Sequence, residues 1–287
     1  MAEVGEHLSL KYKLQNNRSK FTVNMNASIL KSTVLSVLVC LLCTVSFQSM
    51  SQNKSSTQVI AHRGAWKNTG VPENSIAALQ YAIRLGCWGS EFDVHMSSDS
   101  VPFILHDHSI QGIHIEKTAA AELSQIKLSS GEPLPTLESY LLAGKTQKTT
   151  RLILEIKSSD ISKERSLALT KKCVEMVKKL NVASLTEYIA FDFDVCKKVK
   201  ELDPSAIVTY LNGDKSPDEL VAAGLNGMDY HYSVYKQHED WLVISKKKKL
   251  ITNVWTVNDT ETMTWFIDRK VDFITTNEPE RLIGLLK

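Results

Sequence analysis

From Thr57 to the C-terminus, short apolar runs alternate with amphipathic helical patterns, about eight strand-then-helix units over some 230 residues. This regular alternation constrains the fold more than any other feature of the chain. The runs "TQVIAH", "RLILEIK", "EYIAFD", "AIVTYL" and "VDFITT" are continuous rather than strictly alternating, which is the pattern of strands buried on both faces of a parallel sheet. Between them stand patterns such as "ENSIAALQYAIRLG", with Asn74 or Ser75 at its cap and Gly86 at its stop, and "SKERSLALTKKCVEMVKKL". The fold class is therefore α/β. Eight such units predict a closed (β/α)8 barrel rather than an open doubly wound sheet. A dinucleotide-binding sheet would need G-x-G-x-x-G after its first strand, where this chain has "HRGAWKNTG". The stretch 108–135 is long for a connection, so a short rim insertion is expected after the second strand.

Residues 1–51 read differently. Lys31 precedes a dense apolar run from Val34 to Phe47, too short for the ~20 residues of a spanning helix and suited to a signal-peptide core. Ser49 and Ser51 form an A-x-A-like cleavage site, which places the mature start at Gln52 and a single catalytic domain over 52–287; Met25 offers an alternative start. Export to a periplasmic or extracellular location is expected, with membrane anchoring should the leader be retained. No integral span is expected in the mature form. Loss of 1–51 takes five of 34 basic residues (Lys11, Lys13, Arg18, Lys20, Lys31) and two of 32 acids (Glu3, Glu6), leaving 29 against 30. That near-neutral balance gives no footing for a nucleic-acid partner. The run "KKKK" at 246–249 reads as the solvated end of a helix. Cys87, Cys173 and Cys196, odd in number and irregular in spacing, suit buried thiols rather than a disulfide framework or a zinc pattern.

In a barrel of this kind, chemistry collects at the C-terminal ends of the strands. His62 and Arg63 end the first strand, Glu91 and Asp93 lie on the second, His106 and Asp107 end the segment after it, and Glu155 and Lys157 end the third. Glu91 and Asp93 are two apart on a strand and share one face. Buried together they repel and are costly to desolvate unless a cation neutralises them. With Glu155 as a third oxygen donor, the set predicts one divalent cation, Mg2+ or Ca2+. His62 and His106 beside it suit general acid-base work, because imidazole titrates near neutrality. Arg63 and Lys157 add fixed positive charge, which calls for an anionic substrate such as a phosphoryl group.

The motifs "AHRG", "PENSIAAL", "EFDVHMSSD...P...HD", "PTLE", "LILEIK", "VWTVND" and "DFITTNEPERL" occur in one order and spacing. Together they resemble the glycerophosphodiester phosphodiesterase family over essentially all of 57–287. The resemblance implies a TIM barrel, a cation on Glu91, Asp93 and Glu155, acid-base roles for His62 and His106, and phosphate contact from Arg63 and Lys157. It also implies Trp255 as a pocket wall for the glycerol or leaving group. The substrate it implies is a small phosphodiester, cut to glycerol 3-phosphate and an alcohol. Glu73, in "PENS", is assigned a supporting role near the first strand's mouth. The segment after His106 is shorter than the family's usual run there. The rival readings are a phospholipase-type phosphodiesterase on the same barrel and a non-catalytic phosphodiester-binding module. The oligomeric state is open.

Overall fold

The computed structural model describes residues 57–287. The expected leader, its cleavage after Ser51 and the start at Met25 lie outside the described residues. Strands β1 (Gln58–Ala61), β2 (Gly89–Met96), β3 (Pro102–Ile104), β4 (Ser109–Ile110), β5 (Ile113–His114), β6 (Arg151–Ile156), β7 (Thr186–Ala190), β8 (Val208–Tyr210), β9 (Gly227–His231), β10 (Ile251–Trp255) and β11 (Phe273–Thr276) follow in chain order. The helices are α1 (Ile76–Leu85), α2 (Ala120–Leu123), α3 (Leu137–Gly144), α4 (Lys163–Lys179), α5 (Phe193–Leu202), α6 (Pro217–Ala222), α7 (Tyr232–Gln237), α8 (Glu239–Lys248), α9 (Thr260–Asp268) and α10 (Pro279–Leu285).

β1, β2 and β6 to β11 pair in parallel, and the sheet closes because β1 bonds to both its sequence neighbour and the last strand. Gln58 stands opposite Phe273 on one side, and Ile60 opposite Gly89 on the other. The expected (β/α)8 barrel is thus formed, with at least one helix after each of these strands.

The continuity of the apolar runs has a plain cause. Ile60, Ile153 and Ile189 pack inside the barrel with Leu211, while their chain neighbours Val59, Ala61, Leu152, Leu154, Tyr188 and Ala190 join the larger core facing the helices. Both faces are buried, so both must be apolar; each fully buried Leu or Ile contributes about 1.5–3 kcal/mol. The same parity governs β2. Phe92 and Val94 belong to the helix-facing core, so Glu91 and Asp93 take the inward face.

The insertion after β2 is a small structure of its own. β3 runs antiparallel to the upper part of β2, β4 and β5 form a hairpin, and Phe103, Ile115, Leu123, Ile126 and Leu134 make a separate apolar cluster. α1 is capped by Ser75, whose hydroxyl accepts from the Ala78 N–H, and it ends at Gly86 in the left-handed region. The lysines at 246–248 close exposed on the last turn of α8, as expected. Cys87, Cys173 and Cys196 are free, buried thiols.

The turn out of β1 requires Gly64. Its φ is +79°, and a Cβ there would come within 2.7 Å of the Ala78 backbone. Gly64→Ala is expected to cost about 2–4 kcal/mol by strain and overlap together. A thermal melt should read this as a Tm lowered by several degrees, and an unchanged Tm would refute it.

Candidate active site

His62 and Arg63 leave the top of β1, and the left-handed turn at Arg63, φ +56°, directs the chain into the loop that feeds α1. The Arg63 backbone N–H donates to Glu91 Oε2 at 2.8 Å. Its guanidinium donates to Glu73 Oε1 at 2.8 Å and stands 3.6 Å from Asp93 Oδ2. Glu73 therefore holds Arg63, and it lies outside the acid cluster.

Glu91, Asp93 and Glu155 are all buried, and each offers an oxygen within 4.8 Å of the others. Asp93 stands opposite Glu155 in the β2–β6 register. Lys157 reaches into this group, 2.8 Å from Glu155 and 3.3 Å from Asp93. Burial, and then the neighbouring carboxylates, raise Glu91 well above the usual carboxylate range, and the same causes raise Glu155. Asp93 goes the other way: against the upward push of burial, Lys157 foremost holds it low. Glu91 Oε1 is buried without a hydrogen-bond partner among the described residues. Hard oxygen donors, crowded charge and an orphaned carboxylate oxygen fit a divalent cation of the Mg2+ or Ca2+ kind.

His62 Nδ1 lies 2.7 Å from Asn277 Oδ1, so the imidazole donates from Nδ1 and keeps a lone pair on Nε2, which stands 4.0 Å from Glu91 Oε2. Burial, and next the charge of Arg63, push its pKa down to about 4. His106 is half-exposed across the mouth, with Nδ1 2.7 Å from Asp107 Oδ1. His62, His106, Arg63, Lys157, Glu91, Glu155 and Trp255 line one cavity of about 110 Å3. Trp255 donates its indole N–H to the Asp229 carbonyl and meets Phe191 edge-on, so the two rings form an apolar wall. A larger cavity of about 480 Å3 borders Arg151 and Phe273 at the opposite strand ends, but the carboxylate cluster is not there.

Three residues of the site carry no role in the sequence reading. Asn74, considered there only as a cap, clamps Asp93: its Nδ2 donates to Asp93 Oδ2 at 2.8 Å, and its Oδ1 accepts from the Asp93 N–H at 3.1 Å. Asn277, inside the quoted "TTNEPERL", fixes the His62 tautomer, and its own N–H is held by Asn258 Oδ1 at 2.9 Å. Asp229 on β9 borders the cavity, and burial pushes its pKa up to about 8. An end-of-strand inventory carried on to the last strand would have flagged Asn277.

Barrel and mouth together define a (β/α)8 hydrolase suited to an anionic ester. The family model "Glycerophosphoryl diester phosphodiesterase family" matches residues 62–281, and the chain belongs to that family of phosphoric diester hydrolases. A glycerophosphodiester phosphodiesterase from Caldanaerobacter subterraneus subsp. tengcongensis is 28% identical over 246 residues, 80% of this chain and 98% of that protein. The crystal structure of one from Parabacteroides distasonis is 46% identical with a TM-score of 0.79, over 82% of this chain and 98% of that one. An Oleispira antarctica phosphodiesterase, solved with the product sn-glycerol-3-phosphate, is 26% identical with a TM-score of 0.67, over 79% of this chain and 95% of that one. Among the described residues no helix is long and apolar enough to cross a membrane.

Proposed function

We propose that the protein hydrolyses a glycerophosphodiester to glycerol 3-phosphate and a free alcohol, using one divalent cation held by Glu91, Asp93 and Glu155. The observation that carries this reading is the cluster of those three buried carboxylates, two of which, Glu91 and Glu155, share one cavity with two imidazoles and two cationic side chains. Bound Mg2+ or Ca2+ supplies positive charge against which the phosphodiester's negative charge is stabilised. The product complex of the Oleispira antarctica relative supports the same substrate class.

His62 acts as the base. Its lone pair on Nε2 faces the acid cluster, and its lowered pKa keeps it neutral at pH 7, so it takes the proton of the attacking hydroxyl, whether that of water or of the glycerol itself. His106, backed by Asp107, returns a proton to the leaving alcohol oxygen. Arg63, oriented by Glu73, and Lys157 hold phosphate oxygens by charge-assisted hydrogen bonds. Trp255 and Phe191 wall the glycerol or leaving group. The apolar run from Val34 to Phe47, read as a signal-peptide core, supports export, which fractionation of producing cells would test.

The deciding assay is glycerol 3-phosphate release from glycerophosphocholine by the full-length protein, with EDTA and then with Mg2+ or Ca2+ restored. Release that EDTA abolishes and one cation restores is the expected result. No release with either cation from folded protein overturns the reading. Asn74→Ala removes the clamp on Asp93, and the concentration of cation needed for half-maximal activity should rise by about 10- to 100-fold. An unchanged cation titration would remove Asn74 from the site.

A further inference from the structure

β2 carries another polar residue on the parity of Glu91 and Asp93: His95, whose side chain is fully buried. Its Nε2 lies 3.0 Å from the His106 carbonyl oxygen. A carbonyl only accepts, so Nε2 bears the proton and Nδ1 presents a lone pair. That Nδ1 is buried with no hydrogen-bond partner among the described residues. Facing it at 4.0 Å is Glu116 Oε1, a carboxylate oxygen. Two buried acceptors that face each other are destabilising unless a proton, a water or a metal cation stands between them, and a third donor beside them favours the metal. The His108 ring lies edge-on to His95, with centroids 4.7 Å apart. His95, His108 and Glu116 each offer one ligand atom within 4.8 Å of the others.

We propose that His95, His108 and Glu116 form a second metal site, separate from the carboxylate cluster, that takes a borderline transition-metal ion such as Zn2+. Two imidazoles and one carboxylate are a donor set for zinc, whereas the all-oxygen cluster at the barrel mouth suits a hard cation. The outer contacts fit as well. A metal-bound imidazole characteristically donates its other N–H to a carbonyl or carboxylate, and His95 donates to the His106 carbonyl. Glu116 is held through its other oxygen: Arg165 Nε lies 3.3 Å from Oε2, and the Ser159 hydroxyl donates to the same atom. Arg165 is itself anchored on the Met96 and Ser97 carbonyls, so Oε1 stays turned toward His95. Asp160, 3.8 Å from His108 Nδ1 and 2.8 Å from His114 Nε2, adds negative charge beside the site.

Ligand atoms of a tetrahedral zinc site stand roughly 3.4 Å apart, so loading draws these side chains inward. His108 and Glu116 belong to the rim insertion and His95 to the barrel, so the ion would pin the one to the other. Through the His95 bond, it would also fix the backbone of the loop that presents His106.

The test is metal retention rather than turnover. Full-length protein is stripped with EDTA, given excess Mg2+ to fill the oxygen site, then loaded with Zn2+ or Co2+ and desalted. One retained equivalent of Zn2+ is expected, and for Co2+ the intense visible absorption of a nitrogen-ligated site of low coordination number. His108→Ala and Glu116→Gln should each weaken binding by about 100-fold or more, with a cooperative melt confirming that each variant folds. The proposal is overturned by wild-type retention in either variant, by no retention in the wild type, or by uptake that excess Mg2+ displaces. The last two outcomes leave the phosphodiesterase reading untouched, because its assay requires only Mg2+ or Ca2+.

Discussion

His62→Ala should lower turnover on glycerophosphocholine by about 100- to 10,000-fold, the span expected when a positioned base is removed. The size of the effect follows from how fully the imidazole is committed. Asn277 Oδ1 accepts a hydrogen bond from its Nδ1–H, burial and Arg63 keep it uncharged, and the Nε2 lone pair faces the acid cluster. His106→Ala should cost a comparable factor on the same substrate, but for a different step. An ester with an acidic leaving group, such as bis(p-nitrophenyl) phosphate, needs no proton on departure. On that substrate His106→Ala should recover most of its activity and His62→Ala should not. Recovery by His62→Ala instead would reverse the two roles, and near-normal turnover of either variant on glycerophosphocholine would remove that residue from the reaction.

The second large effect concerns stability. In the metal-free chain Glu91 and Glu155 are held above the usual carboxylate range, by burial first and by carboxylate neighbours after it. The folded protein keeps protons there that the unfolded chain has already released, so stability falls as pH rises from the usual carboxylate range through the raised folded-state values. Asp93 has the opposite sign, but its lowered pKa places its window in acid, below that interval. His62 and His95, both pushed down to about 4, share that sign, and their window closes near pH 6.5, where the unfolded imidazoles lose their protons, while Asp229, raised to about 8, adds to the fall above it. The EDTA-treated protein should therefore melt roughly 5 °C lower at pH 8 than at pH 6.5. A cation at 100 times its Kd adds about 2.7 kcal/mol, which for a domain of this size raises Tm by roughly 5–10 °C. Glu91→Gln should melt higher than the wild type without metal and lose most of the cation response. A Tm indifferent to both pH and cation would refute the cation site.

Much of this arrangement is legible in the chain because it depends on short-range periodicity. Strands buried on both faces must be apolar throughout, and two acids at i and i+2 inside such a run must share a face; Glu91 and Asp93 follow from that alone, and Glu155 stands out as the one acid in the apolar run "LILEIK". Asn277 does not. Its contact with His62 spans 215 positions and exists only because β11 returns to pair with β1. Asn74 misleads for a local reason: Asn and Ser both cap helices, and only the fold reveals that Ser75 takes the cap while Asn74, at φ +58°, turns inward onto Asp93. Asp229 sits in the run "GMDYHY", where its inward direction is readable, but its nearness to the cavity depends on barrel closure.

The separate apolar cluster of the rim insertion has a kinetic consequence. Phe103, Ile115, Leu123, Ile126 and Leu134 pack among themselves rather than into the barrel core. Such a unit can open on its own, at a free energy below that of global unfolding. His106 is presented by the chain leading into it, so brief opening would release the leaving-group side of the pocket while β1, β2 and β6 hold the acids and His62 in place. Departure of the alcohol and the pace of the cycle would then follow the stability of some thirty residues at the rim, a quantity that sequence change there can tune without disturbing the barrel.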